Sequence, residues 1–172
     1  MKHSDKYTLK LKSLSDGVHE FTFDLDDKYF RDLDSQEVSG GNVCVQATVR
    51  KSHEIFDMDF AIDGDVITSC DRCLADMEVP IEADEHLVVK MGPEYQEVNE
   101  EVIIVPEKEG VIDLSWIFYE YVVLAMPIQR IHEDGMCDQE MIKHYREHMA
   151  GDKMPEEKTD PRWSALKSLK KD

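Results

Sequence analysis

The chain has 172 residues, a length that suits one domain with a real core, or one domain with a small appendage. Its 38 acidic and 20 basic side chains give a formal charge of −18, which excludes a broad phosphate-binding face of the kind that displaces counterions from nucleic acid. Four cysteines are too few to staple a chain of this size, so the thiols are read as reduced and open to metal or redox chemistry.

The charge is unevenly spread. Residues 1–12 and residues 161–172 each carry +3, which leaves −24 on 13–160. The opening Met1-Lys2-His3-Ser4-Asp5 has no continuous apolar run of the secretory type. The most apolar stretch, Leu114 to Met126, covers 13 residues and contains Glu120, short of the roughly 20 a helix needs to cross a bilayer. A soluble, cytoplasmic protein with no membrane partner is expected.

The N-terminal half reads as strands. Tyr7 to Lys12 alternates, with Leu9 and Leu11 on one face, and Val18 to Phe23 follows a Ser-Asp-Gly turn at 15–17. Asp26 to Phe30 suggests a short helix or a loop. Val43, Val45, Ala47 and Val49 form a half-buried strand with Cys44 on its other face. Phe56, Met58, Phe60 and Ile62 repeat the pattern up to Asp63-Gly64, a hairpin signal, after which Asp65 to Ser69 returns toward Cys70. Met77, Val79, Ile81 and Ala83 alternate again, in phase with Leu87 and Val89.

The acidic stretch from Pro93 to Gly110 predicts a mobile loop around one short strand at Val102 to Val105. Asp113 can cap a helix from Leu114 to about Met126, stopped near Pro127, and its apolar residues nearly encircle the axis, as in a buried helix. A second helix is expected from Asp138 to Ala150, ended by Gly151. Asp160-Pro161 then opens a third, with Trp163, Leu166 and Leu169 as a narrow apolar stripe. The class is α+β: an antiparallel, sheet-rich N-terminal part packed with a buried helix, and a helical C-terminal part. Residues 1–150 form one domain containing the Cys-x-x-Cys turn; residues 151–172 form a linker and a short basic helix.

Cys70-Asp-Arg-Cys73 is the sharpest motif. Two thiolates at this spacing can hold one metal from a tight turn, and zinc takes four such ligands. The pair lies between two strands, whereas a thioredoxin-like redox pair needs a helix N-terminus to lower its thiol pKa. His132 and Cys137 can supply the other half as a Cys3His site. His144 and His148, one helical turn apart, can supply it as Cys2His2, and Cys44 is a third source. With none of these, the pair is two reduced thiols in a turn. Asp57-x-Asp59 with Asp63-Gly64-Asp65 lacks the EF-hand order, His53-Glu54 and His132-Glu133 lack the second histidine of a zinc protease, and Gly40-Gly41 is not a phosphate loop. Glu120, alone in an apolar helix, is read as a helix-edge residue paired with Lys or Arg rather than a catalytic acid.

Taken in order, Cys70-Asp-Arg-Cys73-Leu74, Ile112-Asp113-Leu114, Leu124-Ala-Met-Pro127, His132-x4-Cys137 and Asp160-Pro161-Arg162-Trp163-Ser-Ala-Leu166-Lys167-Ser-Leu169-Lys170 resemble the YceD family of large ribosomal RNA subunit accumulation proteins, over roughly residues 40–172. The resemblance implies metal binding, a nucleic-acid contact and a part in accumulating large-subunit ribosomal RNA. Cys70 and Cys73 match the family's cysteine pair. Many relatives carry further Cys-x-x-Cys sequence after the position of Pro127; this chain has only His132 and Cys137 there, which makes Cys70, Cys73, His132 and Cys137 the implied set, with zinc in a structural role.

The function expected is that of a non-enzymatic factor for large-subunit biogenesis. Its partner would be a ribosomal protein or assembly factor with a basic surface, steered by the acidic body. Arg162, Lys167, Lys170 and Lys171 would make any contact with large-subunit ribosomal RNA, and Trp163 either stacks on a base or docks on the core. Two alternatives stand beside this: a Mg²⁺-dependent RNA-processing enzyme, which needs clustered carboxylates, and a metal-free cytosolic interaction domain.

Overall fold

Alternating apolar residues commit most of the chain to sheet. A computed structural model describes residues 5–148, Gln36 excepted. In chain order these residues form β1 (Thr8–Lys10), β2 (Gly17–Leu25), α1 (Asp27–Asp32), β3 (Gly40–Ser52), β4 (Ile55–Ser69), β5 (Asp76–Gly92), β6 (Gln96–Asn99), β7 (Val102–Pro106), β8 (Val111–Asp113), α2 (Ser115–Ala125) and α3 (Gln139–His148). Six strands make one sheet in the order β2-β3-β4-β5-β7-β6, and β1 and β8 form a separate two-stranded ribbon. All pairings are antiparallel except β5 with β7, which run parallel.

The fold is therefore mostly β, which corrects the expected α+β class with a helical C-terminal part. The segment from Pro93 to Gly110 contributes two paired strands, β6 and β7, where one short strand in a loop was predicted. The Asp63-Gly64 hairpin does not exist either. β4 runs through both residues without a break, and Gly64 pairs with Val43 on one side and Ile81 on the other. Glycine is required there for approach rather than reversal: its φ is 153°, and an added Cβ would overlap the carbonyl oxygen of Asn42 and lie 2.7 Å from the Val43 Cα. The actual reversals are at His53-Glu54, where His53 takes φ 58°, and at the Cys70 turn. The predicted linker and short basic helix of 151–172 lie outside the described residues.

One face of the sheet is dry. Val45, Val49, Met58, Phe60, Leu87 and Val89 are buried there beneath α2, α1 and the β1–β8 ribbon. Phe118 of α2 is fully buried, with ring centroids 5.1 Å from Phe23 and 5.4 Å from Phe60, and Tyr121 lies 5.9 Å from Phe60. Helix α2 buries Phe118, Tyr119, Tyr121 and Val122 but exposes Trp116, Glu120 and Leu124, so it is one-sided rather than encircled. Asp113 Oδ1 accepts from the Ser115 amide at 2.9 Å and so begins the helix one residue later than predicted. The opposite face of the sheet is polar and carries Arg50, Asp57, Asp59, Asp63, Asp84 and His86.

Candidate metal centre

The turn that joins β4 to β5 is Cys70 to Ala75. The Cys70 amide donates to the Ala75 carbonyl and the Leu74 amide to the Cys70 carbonyl, both at 2.9 Å. This closes a tight reversal in which Leu74 takes φ 60°, a left-handed position usually left to glycine or asparagine. The reversal leaves Cys70 and Cys73 both buried, at the end of the sheet remote from His53.

The second half comes from the extended stretch after α2. Pro127 stops the helix, and Arg130 then locks the stretch to the turn. The Asp71 amide donates to the Arg130 carbonyl at 2.7 Å, and the Arg130 amide donates to Asp71 Oδ2 at 2.7 Å. The Arg130 guanidinium also reaches Glu37 at 3.0 Å, the buried Thr68 hydroxyl at 3.3 Å and Asp71 at 3.5 Å. Two residues later His132 arrives with Nδ1 3.4 Å from the Cys73 sulfur and Nε2 3.3 Å from the Asp76 carbonyl oxygen. Gly135, at φ 88°, turns the chain back so that buried Cys137 faces the same point. Helix α3 starts directly after it, with Asp138 Oδ1 accepting from the Met141 amide at 2.8 Å and Ile142 packed on the three sulfurs.

The sequence pairing of Cys70, Cys73, His132 and Cys137 is thus what the fold assembles: one donor atom from each, all within 4.8 Å of one another. A tetrahedron with Zn–S near 2.3 Å and Zn–N near 2.0 Å places neighbouring donors about 3.5–3.8 Å apart, close to the His132–Cys73 separation. Soft thiolates with one imidazole are a donor set for zinc rather than for magnesium or calcium. Nδ1 faces the sulfurs while Nε2–H is free to donate to a backbone carbonyl, the outer contact that fixes a ligating histidine's tautomer.

The electrostatics agree. Burial pushes the Cys70 thiol up, but the amides of His132, Arg72 and Cys73 aimed at its sulfur outweigh burial and bring it down to about 6. Burial likewise raises Cys73, and the amides of Ala75 and Asp138 with the His132 ring lower it overall. Burial and the two neighbouring sulfurs push Cys137 up. Contact with the Cys70 and Cys73 sulfurs raises His132. Three sulfurs so close together repel as anions, and a divalent cation among them removes that repulsion.

The other predicted candidates lie elsewhere. His144 and His148 are exposed on α3, and His144 faces Glu147 at 3.6 Å, so neither joins the cysteines. Cys44 is half-buried on the polar face of β3. Glu120 is exposed and accepts from the Trp116 indole at 2.7 Å, in place of the Lys or Arg partner expected. Arg162, Lys167, Lys170 and Lys171 lie outside the described residues.

A grouping missed in the sequence is Asp57, Asp59 and His86, brought together by the β4–β5 register. His86 sits 2.9 Å from Asp59, and the His86 hydrogen bond, followed by Arg50, holds Asp59 below the usual carboxylate range. The Arg50 guanidinium contacts Asp57 at 2.9 Å and Asp59 at 2.6 Å, so the two carboxylates are already matched by a cation of the protein. Asp57-x-Asp59 was visible in the sequence; His86, 27 residues away from Asp59, carried no signal until the strand register was known.

A family model for the large ribosomal RNA subunit accumulation protein YceD matches residues 58–170. The chain belongs to the YceD family. Comparison with curated proteins and with solved structures gives no match. The YceD match begins within β4 and takes in the whole Cys3His grouping, and it ties the chain to the accumulation of large-subunit ribosomal RNA. Among the described residues, no helix is long and apolar enough to cross a membrane.

Proposed function

We propose that the chain is a non-enzymatic factor that supports large-subunit ribosomal RNA accumulation through contacts with a basic protein of the assembling subunit. Cys70, Cys73, His132 and Cys137 hold one structural zinc ion. The observation that carries this reading is the convergence of four donors, two from the β4–β5 turn and two from the stretch before α3. Four protein ligands fill a tetrahedral shell and leave no position for a reacting water, so zinc here fastens one segment to another. The acidic body, −24 over residues 13–160, favours a basic protein partner over phosphate.

The test combines metal content with depletion. Protein purified without chelators should contain about one zinc per chain, and Cys70→Ser should lose it. Cells depleted of the protein should lose large-subunit ribosomal RNA relative to small-subunit RNA, and wild-type protein should restore it. Zinc below a tenth per chain overturns the metal assignment. Specific Mg²⁺-dependent cleavage of precursor ribosomal RNA by the purified protein, abolished by a carboxylate substitution, overturns the non-enzymatic assignment.

A further inference from the structure

The exposed side of α2 faces strands β5 to β7 across two adjoining hollows of about 660 and 530 Å³ that share Glu100, Glu120 and Tyr121. The walls combine aromatic rings with carboxylates. Trp116 on α2 and Tyr95 just before β6, both about half exposed, line the second hollow. The Trp116 indole donates to Glu120 Oε1 at 2.7 Å, and the Tyr95 hydroxyl donates to Glu97 Oε1 at 2.7 Å. Each of these carboxylates thus holds its ring with one oxygen while its residue lines the hollow. Among the described residues, no lysine or arginine lines either hollow. This differs from the polar sheet face, where Arg50 already matches Asp57 and Asp59. Burial, and after it the nearby carboxylates, push both phenols up: Tyr95 to about 12 with Glu97, and Tyr121 to about 12 with Glu85 and Glu120.

The geometry points to this groove as the docking site for a lysine- and arginine-rich segment of a partner protein. A guanidinium or ammonium group gains from the face of an indole or phenol and from a carboxylate at the same time, and Trp116 with Glu120 and Tyr95 with Glu97 each present that combination. Phosphate is repelled by the same carboxylates, which disfavours RNA as the occupant. A divalent ion finds no compact ligand shell, because the aromatic rings that separate the carboxylates do not ligate it. The inference deepens the reading of a basic protein partner and rests on it, since it names the surface that such a partner meets.

The test uses the 172-residue chain and a fluorescein-labelled 12-residue peptide of three Arg-Gly-Lys-Ala repeats, with binding read by fluorescence anisotropy at low salt. Glu97→Gln with Glu120→Gln should weaken binding at least tenfold, and Trp116→Ala at least threefold, with circular dichroism unchanged. The control is Asp63→Asn with Glu82→Gln on the polar sheet face, which alters net charge equally and should change binding less than twofold. Equal weakening by the control pair would reveal diffuse electrostatics and overturn the site, as would wild-type binding by the groove variants. A 12-nucleotide single-stranded RNA that binds with the peptide's affinity and is lost in the same variants would also overturn it. None of these outcomes depends on ribosomal RNA levels in depleted cells, so failure of the groove and failure of the broader function are separable.

Discussion

Arg130 ties its guanidinium to Glu37, Thr68 and Asp71 and its backbone to Asp71, two residues before His132. It ligates nothing and acts by placing the histidine. Losing such a supporting contact typically costs a metal site about 10–100-fold in affinity. Arg130→Met should therefore weaken zinc binding by that order in competition with a chromophoric chelator, without loss of the sheet by circular dichroism, whereas His144→Ala should leave affinity unchanged. Wild-type affinity in Arg130→Met would remove its positioning role. The grouping of Cys70, Cys73, His132 and Cys137 was legible in the sequence because cysteine and histidine are rare and chemically distinctive, and the resemblance chose among the pairings. Arg130 was not legible: an arginine in a charged chain has many possible partners, and its bond to Asp71 spans 59 residues.

At the scale of elements, the period-two pattern located the strands well and their ends poorly. Val43 to Val49 and Phe56 to Ile62 lie on β3 and β4 as read, and Met77 to Val89 on β5. Asp63-Gly64 was misread because the freedom of a glycine serves two purposes, tight turns and close approach of backbones, and composition does not distinguish them. Gly41 on β3 has the same need: at φ 153° an added Cβ would lie 2.6 Å from the Asp65 carbonyl oxygen. Gly64→Ala must push β3 and β4 apart within the sheet, and overpacking of this kind costs about 1–3 kcal/mol. A urea titration should show a lower midpoint with an unchanged slope; an unaltered midpoint would mean that the two strands yield freely. Strand β7 lies on the short strand read at Val102 to Val105, whereas β6 escaped the sequence because its four residues are all exposed and carry no apolar alternation, and the parallel pairing of β7 with β5 comes from a crossover that no local signal announces.

For the molecule as a whole, the charge divides the surface into roles. The dry sheet face is covered, the opposite face mixes acids with Arg50 and His86, and the α2 groove concentrates carboxylates with no lysine or arginine among the described residues that line it. Attraction to a basic partner is long-ranged and screened by salt, with a Debye length near 10 Å at 0.1 M. Association with large-subunit particles, followed by co-sedimentation, should fall at least tenfold between 50 and 300 mM salt. Deproteinised large-subunit RNA should not bind at 100 mM salt in a filter assay. Salt-independent binding to that naked RNA would reverse the assignment of partner.

The pairing of Asp71 with Arg130 has a consequence in polymer terms. Strands β5 to β8 and helix α2 all lie between these residues, so a stretch of chain that includes half the large sheet begins and ends at one point. Bringing together the ends of a segment of that length costs on the order of 3–4 kcal/mol of chain entropy, from the logarithmic dependence on length. Backbone amides, a carbonyl and a carboxylate make that closure. The zinc proposed among the four donors would then meet ends already joined. The entropy that such an ion would otherwise have to overcome is largely spent in the Asp71–Arg130 closure, and the intervening chain is held as a ring rather than as a free excursion.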